Sequence, residues 1–135
     1  MNDISTLLVV EDDFDLREVV TLSLARTGLR VVEAENGREA LDYVLAHGVP
    51  DLILLDMNMP VMNGWDFARE LRERGLWGAP VIILTAAHDA SRFADEIGAA
   101  GFVGKPFEKK TLVSTVERIL RPSALAMDNR EFRRP

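Results

Sequence analysis

Cysteine is absent from the 135-residue sequence, and no apolar run approaches the roughly 18 residues that a membrane-spanning helix needs. Without cysteine, disulfides, thiolate zinc sites and cysteine nucleophiles are excluded. The first residues, Met-Asn-Asp-Ile-Ser, lack the basic segment and the apolar segment of a secretory signal peptide. We therefore expect a cytoplasmic protein that does not insert into a membrane.

Positive charge is in deficit, because 16 lysines and arginines face 22 aspartates and glutamates, which gives a net charge of -6. An acidic domain repels nucleic acid at long range, so we expect no direct nucleic-acid binding. The composition, 47% hydrophobic and 28% charged, is ordinary for a soluble globular protein. The length fits one domain, which we assign to residues 1–121. After Leu120 the apolar pattern decays, and we expect residues 122–135 to form a flexible tail.

Two kinds of segment alternate along the chain. Short apolar runs rich in β-branched residues predict five strands, at residues 7–10, 30–34, 51–55, 81–84 and 101–103. Between and after them, apolar side chains recur every three or four residues. This spacing predicts five amphipathic helices, whose apolar stripes contain Leu16, Ala40, Phe67, Phe93 and Leu112. The alternation indicates an α/β protein with a parallel sheet that is covered by helices on both faces.

Polar side chains collect where the predicted strands end, which is the edge at which open parallel sheets bind ligands. They are Glu11, Asp12 and Asp13 after the first strand, Asp56 after the third, Thr85 and Ala86 after the fourth, and Lys105 and Pro106 after the fifth. Carboxylates that converge repel one another and raise at least one pKa. A hard divalent cation relieves this repulsion, and Mg²⁺ prefers oxygen ligands of this kind.

Four segments, in this order, resemble the receiver domain of two-component response regulators, and the length resembles the single-domain chemotaxis type. The segments are Leu-Val-Val-Glu-Asp-Asp at 8–13, Asp-Met-Asn-Met-Pro at 56–60 followed by Gly64, Leu-Thr-Ala at 84–86, and Lys-Pro-Phe at 105–107. The resemblance covers about residues 5–121. It implies a flavodoxin-like (βα)5 fold, a doubly wound parallel sheet with strand order 2-1-3-4-5. It also implies a phosphorylation-dependent signalling switch and not an enzyme.

The resemblance implies a role for each strand-end residue. Asp56 is expected to accept a phosphoryl group from a sensor histidine kinase or a histidine phosphotransfer protein. Mg²⁺, for which Mn²⁺ can substitute, is expected at Glu11, Asp12, Asp56 and the backbone carbonyl of Asn58. The phosphate is expected to bind the Thr85 hydroxyl, the Lys105 ammonium group and the backbone N–H groups of Met57 and Ala86. Pro106 is expected to follow a cis peptide bond, which proline makes accessible.

The output of the switch is also implied by the resemblance. Phosphorylation adds about -1.5 to -2 charge units, and Thr85 and Phe102 are expected to move in response. The surface of the fourth helix, fifth strand and fifth helix is then expected to control a downstream protein partner, with the protein a monomer or a phosphorylation-dependent dimer. Phe102 itself is predicted to lie in the core or to be half-buried. Ala87 is too small to orient or repel water by charge, so we expect a phosphate lifetime that is not unusually long.

Other interpretations apply to single residues and to the whole chain. Asp13 is best explained as a helix N-cap, and Trp65 and Trp77 are predicted to be partly buried. A pseudo-receiver, which binds partners without phosphorylation, is disfavoured because all the expected site residues are present. A metal-dependent phosphatase with an aspartate nucleophile is disfavoured as well. Such enzymes commonly carry an acid two residues after the nucleophile, where this chain has Asn58.

Overall fold

A computed structural model of the protein describes residues 4–121, which form a five-stranded parallel sheet flanked by five α-helices. The strands are β1 (Thr6–Val10), β2 (Arg30–Ala34), β3 (Leu52–Leu55), β4 (Val81–Ala86) and β5 (Gly101–Lys105). The helices are α1 (Phe14–Ala25), α2 (Gly37–His47), α3 (Gly64–Glu73), α4 (Ala87–Ile97) and α5 (Lys109–Leu120). The strand order is β2-β1-β3-β4-β5, so the predicted doubly wound fold and its strand order are confirmed. The predicted flexible tail, residues 122–135, lies outside the described residues.

Two apolar cores lie on opposite faces of the sheet, because successive side chains of a strand point in opposite directions. On one face, side chains such as Leu8 and Ile53 pack against α2, α3 and α4. On the other face, side chains such as Leu7 and Leu54 pack against α1 and α5. The interior strand β3 is therefore buried on both sides, which explains why its sequence is continuously apolar. Each fully buried aliphatic side chain contributes about 1.5–3 kcal/mol to folding.

The parallel register brings the carboxyl ends of the strands to one edge of the sheet. Val10 of β1 pairs with Leu55 of β3, so Glu11 and Asp56 leave their strands side by side. β4 and β5 continue two residues beyond their predicted ends, and their last pairs are Thr85 with Gly104 and Ala86 with Lys105. Both strands are longer than predicted because the apolar run of each strand ends two residues before its backbone pairing does.

Side-chain caps fix where three of the helices begin. The Asp13 carboxylate accepts a hydrogen bond of 3.0 Å from the Leu16 N–H, which confirms Asp13 as the N-cap of α1. Asn36 and Asn63 cap α2 and α3 in the same way. In contrast, α4 follows β4 directly, with Ala86 as its N-cap residue and no side-chain cap. The start of α4 is therefore placed by the end of β4.

Three aromatic side chains differ in how far they are exposed to solvent. Phe102 lies on the edge strand β5 and is 47% exposed, which is more than the predicted core or half-buried position allows. Its neighbour Val103 points to the opposite face and is buried. An edge strand has a partner on one side only, so a side chain there is open to solvent where the nearby helix does not extend over it. Trp65 and Trp77 pack partly buried against the core, as predicted.

Candidate functional site

Three carboxylates meet at the carboxyl edge of the sheet. Oxygen atoms of Glu11, Asp12 and Asp56 all lie within 4.8 Å of one another. Glu11 is fully buried and Asp56 is 3% exposed, whereas Asp12 faces solvent. The loops after β1 and β3 thus form an acid cluster with a buried floor and one open side. Carboxylate oxygens in this arrangement are suited to a hard divalent cation such as Mg²⁺.

Glu11 is held at both its main chain and its side chain. Its N–H donates to the Ala34 carbonyl at 3.0 Å, and its carbonyl accepts from Nη1 of Arg17 at 2.7 Å. In the side chain, Oε2 accepts from the Asp13 N–H at 3.1 Å, and Oε1 lies 2.9 Å from Nζ of Lys105. These contacts leave Glu11 little freedom to move when a ligand approaches.

Asp56 is the carboxyl group with the most perturbed ionisation. Burial raises its pKa from 3.8 to about 7, with a further contribution from the negative charge of Glu11. Two groups act in the opposite direction, since Nζ of Lys105 lies 3.5 Å from Oδ2 and the Asn58 N–H donates to Oδ1 at 3.2 Å. A proton and a cation would thus compete for Asp56 near neutral pH.

Lys105 ends β5 and lies between two of the carboxylates. Burial would lower the pKa of Lys105, but contact with Glu11 and the charge of Asp56 outweigh it and raise the pKa above its ordinary value. The ammonium group therefore stays charged. The Lys105–Pro106 peptide bond is cis, as the resemblance implied.

A cleft opens over the acid cluster. The predicted site residues that line it are Glu11, Asp12, Asp56, Asn58, Thr85, Ala86, Lys105 and Pro106. Leu16, Val19 and Phe107 add an apolar wall on the side of α1 and α5. Two other predicted residues do not line the cleft: the Met57 side chain is fully buried in the core, and Phe102, predicted as a switch residue, lies on β5 outside the cleft. For Met57 the prediction concerned only the backbone N–H.

Two glycines allow close approaches beside the cleft. A Cβ atom on Gly64 would lie 2.6 Å from the Met57 sulfur and 2.9 Å from the Asp56 carbonyl oxygen. A Cβ atom on Gly104 would lie 2.6 Å from the Cα atom of Ala87. The first glycine lets α3 pack against the loop that carries Asp56, and the second lets β5 pack against the start of α4.

Arg17 lies next to the site, although none of the strand-end motifs in the sequence includes it. It is 9% exposed, and its Nε atom donates to Oε1 of Glu33 on β2 at 2.9 Å. A signal was present in the sequence, because Arg17 shares the buried stripe of α1 with Val20 and Leu24. A buried charge in an apolar stripe requires a partner, but the sequence does not identify which residue that is.

The sheet order and the polar carboxyl edge define an α/β domain of the flavodoxin-like class. Residues 7–117 match the family model described as the response regulator receiver domain. The chain belongs to this family, whose members are the phosphate-accepting switches of two-component systems.

Curated relatives agree with the family assignment. The alkaline phosphatase synthesis transcriptional regulatory protein SphR of Synechococcus elongatus is 37% identical over 129 residues, which cover 88% of this chain and 50% of the relative. The phosphate regulon transcriptional regulatory protein PhoB of Pseudomonas aeruginosa is 35% identical over 119 residues, which cover 86% of this chain and 52% of the relative. The chain thus spans about half the length of the curated relatives it matches.

Two solved structures match this chain over nearly their whole length. The chemotaxis protein CheY4 of Vibrio cholerae has a TM-score of 0.76 and 32% identity, over 87% of this chain and 99% of that one. A putative response regulator from Chloroflexus aurantiacus has a TM-score of 0.79 and 34% identity, over 87% of this chain and 98% of that one. Within residues 4–121, each helix is too short or too polar to cross a membrane.

Proposed function

We propose that this protein is a phosphorylation-dependent switch in which Asp56 accepts a phosphoryl group from a sensor histidine kinase or a histidine phosphotransfer protein. The observation that carries the proposal is the placement of Asp56. Its carboxylate is buried at the floor of an open cleft, 3.5 Å from a charged lysine and within 4.8 Å of two other carboxylates. The receiver unit would comprise residues 1–121, and we place its action in the cytoplasm.

The donor set fits Mg²⁺, with Mn²⁺ as a substitute. Glu11, Asp12 and Asp56 supply carboxylate oxygens, and the backbone carbonyl of Asn58 is the fourth ligand we propose. All are hard oxygen donors, and the raised pKa of Asp56 reflects in part a repulsion that a cation would relieve. When bound, the ion would supply positive charge for the oxygens of the incoming phosphoryl group.

The chain's own residues account for the rest of the transfer. An oxygen of Asp56 attacks phosphorus, the bond from phosphorus to the donor's histidine nitrogen breaks, and an acyl phosphate forms. Lys105 and the Thr85 hydroxyl bind phosphoryl oxygens from the side of β4 and β5, together with the backbone N–H groups of Met57 and Ala86. Asn58 cannot act as a general acid or base, which disfavours turnover of external phosphate esters.

The signal leaves through the surface formed by α4, β5 and α5. We propose that Thr85 moves toward the bound phosphate and that Phe102, already 47% exposed on the edge strand, changes its position with it. This surface would then select a downstream protein partner, with the protein a monomer or a phosphorylation-dependent dimer. The relatives named above are transcriptional regulators about twice as long. An acidic receiver of this kind would influence transcription through another protein or segment.

Incubation with acetyl phosphate and Mg²⁺, followed by intact-protein mass spectrometry, tests the proposal. The wild type should gain the mass of one phosphoryl group, and the gain should disappear on treatment with EDTA before the reaction. Asp56→Asn should gain nothing, whereas Asp42→Asn, which changes an exposed aspartate on α2, should behave like the wild type. Equal labelling of Asp56→Asn and the wild type would refute Asp56 as the acceptor. Rapid hydrolysis of an aryl phosphate would instead favour the phosphatase alternative.

A further inference from the structure

Arg17 lies behind the acid cluster, and its guanidinium group connects three elements there. Nη1 donates to the Glu11 carbonyl after β1 at 2.7 Å, and Nε donates to Oε1 of Glu33 on β2 at 2.9 Å. The Arg17 side chain is 10% exposed, whereas that of Glu33 is 41% exposed. Because the guanidinium group is planar and its donors have fixed directions, two acceptors fix its orientation.

The carbonyl that Arg17 contacts belongs to the peptide unit between Glu11 and Asp12. A peptide unit is planar, so fixing its carbonyl oxygen also fixes the direction of the Asp12 N–H and the rotation of the plane between the two Cα atoms. Both of these residues contribute carboxylates to the acid cluster. The contact from Arg17 therefore determines the point from which two of the three carboxylates extend.

The other contacts of Glu11 do not replace this one. Its N–H donates to Ala34, and its side chain contacts Asp13 and Lys105, but only Arg17 among these partners contacts the carbonyl. A buried carbonyl that loses its partner has to rotate toward another donor or admit water. Either change would turn the peptide plane and move the Asp12 carboxylate relative to Glu11.

We propose that Arg17 is a positioning residue for the divalent-cation site. It holds the Glu11–Asp12 peptide unit in the orientation that brings the carboxylates together, and Glu33 holds Arg17 in turn. Arg17 itself does not contact the ion. The inference rests on the proposed function, because it concerns the Mg²⁺ affinity of the site that serves Asp56. Some residues orient the metal ligands without contacting the metal themselves. Mutation of such a residue typically weakens metal affinity by about 10- to 100-fold.

Calorimetric titration of the metal-free protein with Mg²⁺ tests the proposal, since it measures affinity without phosphorylation. Arg17→Met keeps the length of the side chain but removes its donors, and we expect its Kd for Mg²⁺ to rise about 10-fold. Arg17→Lys keeps the charge, but one ammonium group on a flexible stem cannot reproduce the two fixed hydrogen bonds. Its Kd should therefore remain several-fold above that of the wild type. Glu33→Ala, which releases the other end of Arg17, should weaken binding in the same direction.

Val44→Ala is the control for a loss of stability without a change at the site, because Val44 is a residue of α2 that is buried in the core. Its Kd for Mg²⁺ should equal that of the wild type. If Arg17→Met does not fold, Glu33→Ala carries the test, since Glu33 is partly exposed. The positioning role would be overturned if Glu33→Ala bound Mg²⁺ with the wild-type Kd. It would also be overturned if Arg17→Lys bound Mg²⁺ with the wild-type Kd. Absence of Mg²⁺ binding in the wild type would instead refute the proposed function.

Discussion

Asp56 resists ionisation more than any ordinary aspartate, and the reason lies in its surroundings. It is 3% exposed and lies beside the Glu11 carboxylate, and its pKa of about 7 persists despite the nearby charge of Lys105. A surface aspartate would be fully ionised at about pH 7. The group that we propose as the nucleophile is therefore divided between its protonated and ionised forms near neutrality when no cation is bound.

The metal-free protein should lose stability as the pH rises from about 5 to about 8, because of Asp56. The unfolded carboxyl group, with a pKa of 3.8, has released its proton by about pH 5, whereas the folded group, with a pKa of about 7, retains it until the pH nears 7. Between these two pKa values the folded state binds more protons, so its stability falls as the pH rises toward 7 and levels off above it. At about pH 8, Asp56→Asn should be more stable than the wild type by about 1–3 kcal/mol.

Urea unfolding in EDTA at the two pH values measures this difference in the free energy of unfolding. Asp42→Asn, at an exposed position on α2, should follow the wild-type pH profile. Parallel profiles for the wild type and Asp56→Asn would contradict the assignment of the pH dependence to Asp56.

Mg²⁺ affinity should also depend on pH, in the direction that proton competition requires. Below the pKa of Asp56, which is about 7, the ion would have to displace a proton from one of the ligands that we propose. The Kd for Mg²⁺ should therefore be about tenfold higher at about pH 6 than at about pH 8. Calorimetry in two buffers of different ionisation enthalpy should detect proton release on binding at the lower pH. A Kd that does not change with pH would contradict a ligand that titrates in this range.

At the scale of the elements, burial on both faces determines what the sequence predicts well. β1 and β3 read as continuous apolar runs, and their predicted positions agree with the structure to within one residue at each end. The ends of β4 and β5 were less predictable, because Thr85, Gly104 and Lys105 pair through their backbones without an apolar signal. The start of α4 has no capping side chain, so no residue type marked it.

The close approach of β5 to α4 gives a prediction at this scale. In Gly104→Ala, the new Cβ atom would lie 2.6 Å from the Cα atom of Ala87, and main chain cannot yield as a flexible side chain does. We expect a loss of about 1–3 kcal/mol in the free energy of unfolding. Gly78→Ala is the matched control, because a Cβ atom there meets nothing within 4 Å. Urea unfolding compares the two variants, and equal stability of both would show that the contact is not restrictive.

At the scale of the whole molecule, the alternation of strands and helices predicts the layers, and the strand ends predict which edge carries the chemistry. The residues of the acid cluster could be named from the sequence because each one lies within two residues of the end of a strand. Arg17 could not, because its partners, Glu11 after β1 and Glu33 on β2, become neighbours only through the register of the folded sheet. The exposure of Phe102 could not be predicted for a similar reason, because it depends on how far the helices extend over an edge strand.

Two tryptophans lie where a rearrangement of α4 and β5 should be detectable. Trp65 of α3 makes an edge contact with Phe93 of α4, with 5.1 Å between the ring centroids. The ring centroid of Trp77 lies 4.3 Å from the guanidinium carbon of Arg72. Arg72 also donates to the carbonyl of Ile97, the last residue of α4. Both indoles therefore report on α4, one near its middle and one near its end.

Beryllofluoride with Mg²⁺, which imitates an aspartyl phosphate, should change the tryptophan emission of the wild type. If Thr85 and Phe102 respond to the phosphate mimic as proposed, α4 shifts against α3 and the contact between Trp65 and Phe93 changes. Trp65→Phe should therefore lose more of the response than Trp77→Phe, and Asp56→Asn should show none. Fluorine NMR can verify in parallel that the mimic is bound. Bound beryllofluoride with unchanged emission in the wild type would mean that the switch does not reach α4, and the output surface would have to lie elsewhere on the domain.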